Sequence, residues 1–255
     1  MRRTVVLTTS RGSFSGLRDA LGVKGATVEE HPLISFAPPL DWQPVDTALD
    51  RLPRYAVIAF TSPRAARSFV ARARERLGEV ASEPMPAVWA GGQGTAVALG
   101  AALGPVRVPN PESTGELGAA AALADSLLKA GVKGRVLVPC GETHREELAI
   151  VLRLQSIEVD EVECYRSVLS DETAARTAAQ RADVVVVASP SVAQLLARAC
   201  PLESRPPLVA VGPTTAAAAA HAGWPAAGVA AYPTAEALAA AVRPLLTATD
   251  DDGAP

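Results

Sequence analysis

"ADVVVVASPSVAQLLA", residues 182–197, decides the architecture. The run VVVVA shows no alternation of polar and apolar residues, which marks a strand buried on both faces, as in a parallel sheet flanked by helices. Ser-Pro then makes a turn, and VAQLLA continues with apolar residues at helical spacing. Such a strand needs parallel neighbours, and the sequence supplies one. "YAVIAFTSPRAARSFV" (55–70) repeats the pattern, with Ser62-Pro63 standing where Ser189-Pro190 stand.

Three more pairs lie around this one. "RTVVLTTSRG" (3–12) is echoed by "GRVLVPCGETHREEL" (134–148), each a β-branched run ending in a polar turn. "AVWAGGQGTAVALGAALG" (87–104) is echoed by "PLVAVGPTTAAAAAHAGW" (207–224), which aligns Gly92 with Gly212 and Thr95 with Thr215. "VPNPESTGELGAAAAL" (108–123) is echoed by "AAYPTAEALAAAV" (230–242). Matched blocks in one order define two related halves, about 3–130 and 134–246. Between strands, residues such as Leu117, Ala120, Ala121 and Leu128 trace the apolar face of a helix. The pattern is a doubly wound α/β architecture. "HPLISFAPPLDW" (31–42) and "VECYRSVLSDET" (162–173) each follow the second strand of their half and read as extended linkers between two lobes.

Composition narrows the function classes. The chain has 255 residues, 49% apolar and only 4% aromatic, so its core is aliphatic. A net charge of −3 without a basic block argues against a nucleic-acid surface. Cys140, Cys164 and Cys200 are odd in number and far apart, which suits buried thiols of a reducing compartment. "MRRTVVLTTSRG" is too short in apolar residues for a signal-peptide core, and no run reaches membrane-spanning length. The expectation is a cytoplasmic protein with no membrane partner.

In parallel sheets ligands bind beyond the carboxyl ends of the strands. Each block places a polar turn there: Thr9-Ser10-Arg11, Thr61-Ser62-Pro63, Gly92-Gln93-Gly94-Thr95, Cys140-Gly141-Glu142, Ser189-Pro190-Ser191 and Gly212-Pro213-Thr214-Thr215. Several open helices, whose first amides lack partners and carry partial positive charge. Ser and Thr in such turns serve as N-caps worth about 0.5–2 kcal/mol. The same turns, as two sets across a cleft, offer many amides to an anionic ligand. Both readings stay open for any one residue.

Other chemistry is thin. Gly92-Gln93-Gly94 begins like a dinucleotide fingerprint, but Val97 stands where the third glycine belongs. Cys140 and His144 have no second ligand pair, so no metal site is expected. His31 and His221 read as structural or solvent-facing. The turns carry few titratable groups (Arg11, Arg64, Glu142, Arg145, Glu146), so an enzyme built this way works mainly by holding its substrate in one shape.

Taken in order, "VVLTTSRG", "AFTSPRAARSF", "AGGQGTAVAL", "PNPESTGEL", "VLVPCGETHREEL", "VECYRSV", "VVVVASPSVAQLL", "AVGPTTAAAAAHAGW" and "YPTAEALAAAV" resemble the uroporphyrinogen-III synthase family over nearly the whole chain. Thr-Ser-Arg-Gly stands where the family often has Thr-Arg-Pro, and Trp89 and Gly91-Gly92 depart from its usual run of small residues. The resemblance implies two flavodoxin-like lobes with a central cleft. One lobe joins 1–36 to 168–255, the other is inserted as 39–165, and the crossings fall at about 36–39 and 165–168.

The resemblance also implies a cofactorless, monomeric enzyme acting on hydroxymethylbilane, a linear tetrapyrrole with eight carboxylates. The terminal hydroxyl leaves as water, ring D attacks through its substituted carbon to give a spiro intermediate, and that intermediate reopens and recloses with ring D inverted. Tyr165 of "VECYRSV" corresponds to the family tyrosine that assists departure of the hydroxyl; a linker aromatic packed for structure is the other reading. Substrate contacts carried over or inferred from the turns are Thr9, Arg11, Thr61, Ser62, Gly92, Thr95, Ser113, Arg145, Ser189, Ser191, Gly212, Thr214 and Thr215. Two rival readings are a bilobed tetrapyrrole-binding or regulatory module without activity, and a tandem flavodoxin-like protein holding FMN or a nucleotide.

Overall fold

In the computed structural model, which describes residues 3–21, 26–78, 85–110 and 118–247, the VVVV run is strand β9 (Val184–Val187). All four valines are buried, and β9 pairs in parallel with β1 (Arg3–Leu7) on one side and β10 (Leu208–Ala210) on the other. β2 (Ala26–Glu30) and β11 (Gly228–Val229) complete a five-stranded sheet in the order β11-β10-β9-β1-β2. Alternate residues of each strand face opposite ways. Val6, Val185, Val187, Leu208 and Ala210 therefore pack under α7 (Glu172–Gln180), α8 (Pro190–Ala199) and α9 (Pro213–His221). Val5, Leu7, Val184, Val186 and Val209 pack under α1 (Leu17–Leu21) and α10 (Ala235–Thr247).

The second sheet obeys the same rules. Its order is β3-β8-β7-β4-β5-β6, with β3 Ile34–Ala37, β4 Tyr55–Phe60, β5 Ala87–Ala90, β6 Val106–Arg107, β7 Arg135–Gly141 and β8 Val159–Leu169. Ile58, Phe60, Val88 and Leu137 pack under α2 (Gln43–Asp50), α3 (Pro63–Leu77) and α4 (Gln93–Leu99). Val57, Ala59, Val136 and Val138 pack under α5 (Ala119–Lys129) and α6 (Glu147–Leu154). The buried face of α5 is Ala122, Leu123, Ala124 and Leu127, flanked by Ala120 and Leu128. That differs from the stripe expected at Leu117, Ala120, Ala121 and Leu128. Leu117 lies outside the described residues. In a helix this rich in alanine and leucine, spacing alone leaves the face ambiguous, and the sheet below selects it.

The chain divides into two compact units, Met1–Ser35 with Val168–Pro255, and Phe36–Ser167. The matched sequence blocks pair β1 with β7, β4 with β9 and β5 with β10, and by order β2 then corresponds to β8 and β6 to β11. Read that way, both sheets have the order second-first-third-fourth-fifth, the flavodoxin-like arrangement. Each sheet takes its first two strands from one half of the sequence and its last three from the other. The extended segments expected after the second strands are β3 and the distal part of β8, which are sheet neighbours.

Candidate active site

The repeat extends to the backbone of the turns. Ser62 and Ser189 are the N-caps of α3 and α8, with φ, ψ of −135°, 130° and −129°, 134°. Gly92 and Gly212 are the N-caps of α4 and α9, at −179°, 170° and −175°, 169°. Of these four, Ser62 alone caps with its side chain, its Oγ accepting from the amides of Arg64 at 3.2 Å and Ala65 at 3.4 Å. Thr95 and Thr215 are not caps. They are the third residues of their helices and are 5% exposed, so the cap reading of the Gly-Pro-Thr-Thr turn gives way to glycine at the N-cap. Proline occupies the first helical turn at Pro63, Pro190 and Pro213, where its missing N–H costs nothing.

In the unit Phe36–Ser167, the carboxyl ends of β4 and β7, the start of α5 and the Tyr165 ring enclose a cavity of about 590 Å³. It brings together four expected site residues, Thr61, Ser62, Arg145 and Tyr165. The first amides of α5 line it too, and the N-cap there is Gly118, which has no side chain to satisfy them. His144 lines the wall, with Nδ1 2.8 Å from the Gly141 carbonyl oxygen and Nε2 2.8 Å from Glu161 Oε1. Arg153 donates to the other Glu161 oxygen at 2.9 Å. Cys140 also lines the cavity, but burial pushes its thiol up to about 12, so it stays protonated and unreactive at neutral pH. Among the described residues no group of three or more His, Cys, Asp or Glu side chains is placed to hold a metal.

Tyr165 is half-buried in β8, opposite Gly141 of β7. Its ring meets Phe36 edge to face, with centroids 5.7 Å apart and an angle of 74°. The Arg64 guanidinium sits 3.4 Å over the Phe36 ring and 5.9 Å from the Tyr165 ring. Burial pulls the Arg64 pKa below its ordinary value. Among the described residues no carboxylate pairs with Arg64, Arg67 or Arg145, whereas Arg72, Arg76, Arg135, Arg153 and Arg181 each have an acidic partner. Arg64 and Arg67 line a second hollow of about 310 Å³ beside Tyr165. Burial, followed by repulsion from Glu142, raises the Glu163 carboxyl above the ordinary range.

Arg64 is the site residue that the strand-end pattern passed over as a contact. Its signal was legible: an arginine in the first turn of a helix, where the dipole disfavours a cation, with no acidic residue three or four places away. Gly92 and Thr95 stand at the next strand end of the same sheet, after β5. In the other unit Thr9 and Arg11 follow β1, Ser189 and Ser191 follow β9, and Gly212, Thr214 and Thr215 follow β10. Thr9 is buried, whereas Arg11, Ser191 and Thr214 are exposed. Arg11 lines a hollow of about 550 Å³ with His31 and Asp171. Ser113 lies outside the described residues.

The model of the family described as uroporphyrinogen-III synthase HemD matches residues 15–240. The chain belongs to the uroporphyrinogen-III synthase family. Solved structures agree on the fold. A mutant uroporphyrinogen III synthase from Thermus thermophilus superposes with a TM-score of 0.57 at 18% identity, over 96% of this chain and 99% of that one. The uroporphyrinogen-III synthetase of Helicobacter pylori gives 0.57 at 17% identity, over 92% and 96%. No curated protein matches the sequence. Among the described residues no helix is long and apolar enough to cross a membrane.

Proposed function

We propose that this uroporphyrinogen-III synthase, a cyclising lyase of tetrapyrrole biosynthesis, carries out its chemistry at the cavity edged by Tyr165. The observation that carries the reading is the Tyr165 phenol itself. Among the described residues its hydroxyl has no hydrogen-bond partner, although the ring is fixed against Phe36. A phenol O–H can donate a hydrogen bond to a leaving hydroxyl. The hydroxyl of hydroxymethylbilane departs as water while the pyrrole nitrogen pushes in its electron pair. Ring D then attacks through its substituted carbon, and the spiro intermediate opens and recloses with that ring inverted.

The substrate's carboxylates need donors, and the chain provides them in two forms. Arg64, Arg67 and Arg145 supply charge that no carboxylate among the described residues pairs with. The starts of α5, α8 and α9 supply amides, with Ser189, Ser191, Gly212, Thr214 and Thr215 at the last two of those turns, and Thr61 and Ser62 add hydroxyls at the turn after β4. Thr9, Arg11, Gly92 and Thr95 are proposed contacts on the same strand-end logic. Unassisted closure gives the isomer without inversion, so the binding surface favours one transition-state shape over another. The reading includes a monomer in the cytoplasm, where free Cys140, Cys164 and Cys200 are at home.

The test is incubation with hydroxymethylbilane, oxidation of the product and separation of isomers. Isomer III in excess supports the reading; isomer I alone would leave a binding module of the same fold. Tyr165→Phe should lower kcat by about 10- to 100-fold, the worth of one hydrogen bond to a developing charge. Its melting temperature should stay near that of the parent. Unchanged turnover would remove Tyr165 from the chemistry.

A further inference from the structure

Tyr165 lies against a glycine that the backbone does not demand. Gly141 ends β7, buried, with a φ outside the left-handed region, so its conformation admits an L-residue. Space is what excludes one. A Cβ at 141 would lie 2.6 Å from Tyr165 Cζ, 2.8 Å from its hydroxyl oxygen and 2.9 Å from Cε2. Carbon atoms in good contact are about 3.5–4.0 Å apart. All three near atoms belong to the phenol and none to the backbone.

The surroundings keep glycine and tyrosine facing each other. The β7–β8 register steps between Cys140 and Gly141, which is what sets Gly141 opposite Tyr165. The next amide, Glu142 N, donates to the Tyr165 carbonyl at 2.9 Å. The Gly141 carbonyl meets His144 Nδ1 at 2.8 Å. Phe36 closes the remaining side of the ring. Both backbones are tied, and the mobile part is the far end of the tyrosine side chain.

We infer that Gly141 is a positioning residue for the reaction. Its missing Cβ is the space across which the Tyr165 phenol lies, and that placement delivers the hydroxyl to the cavity. The inference rests on the proposed reaction and on the role given to Tyr165 in it. A methyl group at 141 swings the phenol away by side-chain rotation, which costs the fold little because no backbone has to move.

The experiment compares Gly141→Ala, Tyr165→Phe, Tyr165→Ala and the two double variants, measuring kcat, KM and melting temperature in the full chain. Gly141→Ala should lower kcat by about tenfold or more, as loss of a placed proton donor does, with KM changed less than about threefold. On the Tyr165→Ala background the same substitution should change kcat less than about twofold, because the ring it displaces is gone. A Gly141→Ala enzyme with parental kcat, or one with equal losses on both backgrounds, overturns the inference. Melting temperature gives a reading that needs no activity. Gly141→Ala should lower it more beside the ring of Tyr165→Phe than beside Tyr165→Ala. A parent chain that makes no isomer III overturns the proposed function, and the melting comparison then still decides whether position 141 places the ring.

Discussion

Gly212 has an extended backbone that any residue adopts, and a Cβ added there would meet nothing within 4 Å. Neither conformation nor packing inside the fold asks for glycine. What a side chain at that point would obstruct is approach to the first amides of α9, the use proposed for the turn. Gly212→Ala should therefore cost only the preference of an N-cap for glycine over alanine, about 1 kcal/mol or less. Titration calorimetry with hydroxymethylbilane or its product, alongside thermal melting, should show weaker binding with at most a small fall in melting temperature. Equal affinity would remove the turn from the binding surface. At this scale the sequence was partly legible. The polar turns at strand ends, and Arg64 in a helix's first turn, stand out as residue types in unfavourable or uncommitted places. The facing of Gly141 and Tyr165 does not, because it depends on one step in strand register between residues far apart in the chain.

Among the elements, α3 shows how local signals and long-range ties combine. Ser62 and Pro63 start it, Gly78 with φ 73° ends it, and Phe69 and Ala73 on its inner face are fully buried. Its outer face is tied to α2 by Arg72, which donates to both Asp46 oxygens at 2.8 and 2.6 Å. Those hydrogen bonds are the largest cause holding the Asp46 carboxyl below the usual carboxylate range. A lowered folded-state pKa gives stability that is complete above the unfolded value of about 3.9 and is lost as pH falls through the folded value. Asp46→Asn should cost about 1 kcal/mol at pH 7. Melting curves recorded from pH 7 downward should show the gap between parent and variant closing below about pH 4. A gap that is the same at pH 7 and pH 3 would assign Asp46 a packing role. The helix itself was legible from its cap, proline and spacing. The ion pair was not, since one-dimensional order does not say which helices lie side by side.

At the scale of the whole molecule, the repeat reads clearly but the assembly of its strands does not. Both halves carry the same five strands, so a sheet built from one half and a sheet built from parts of both satisfy the apolar pattern equally. The fold takes the second course, and this makes the two units unequal as stretches of chain. Residues 36–167 are continuous and contain β4 to β7 and most of β8, with α2 to α6 covering both faces of the sheet. The other unit needs two segments. Strand β1, interior between β9 and β2, lies in residues 1–35, while its partner β9 lies beyond 168. A fragment of residues 36–167 should therefore fold alone, with a helical circular dichroism spectrum and a cooperative melt, because it keeps its own core. Residues 168–247 alone should not, because β9 would lack β1 and leave the apolar edge of the sheet open. Fusing 3–35 to 168–247 should restore folding with a short linker, since the Ser35 hydroxyl already donates to the Val168 carbonyl at 3.4 Å. A folded 168–247 fragment, or an unfolded 36–167, would mean that the folding units follow the sequence repeats and not the sheets. The outcome turns on β1, which the repeat places in the first half and the hydrogen bonds place beside a strand of the second.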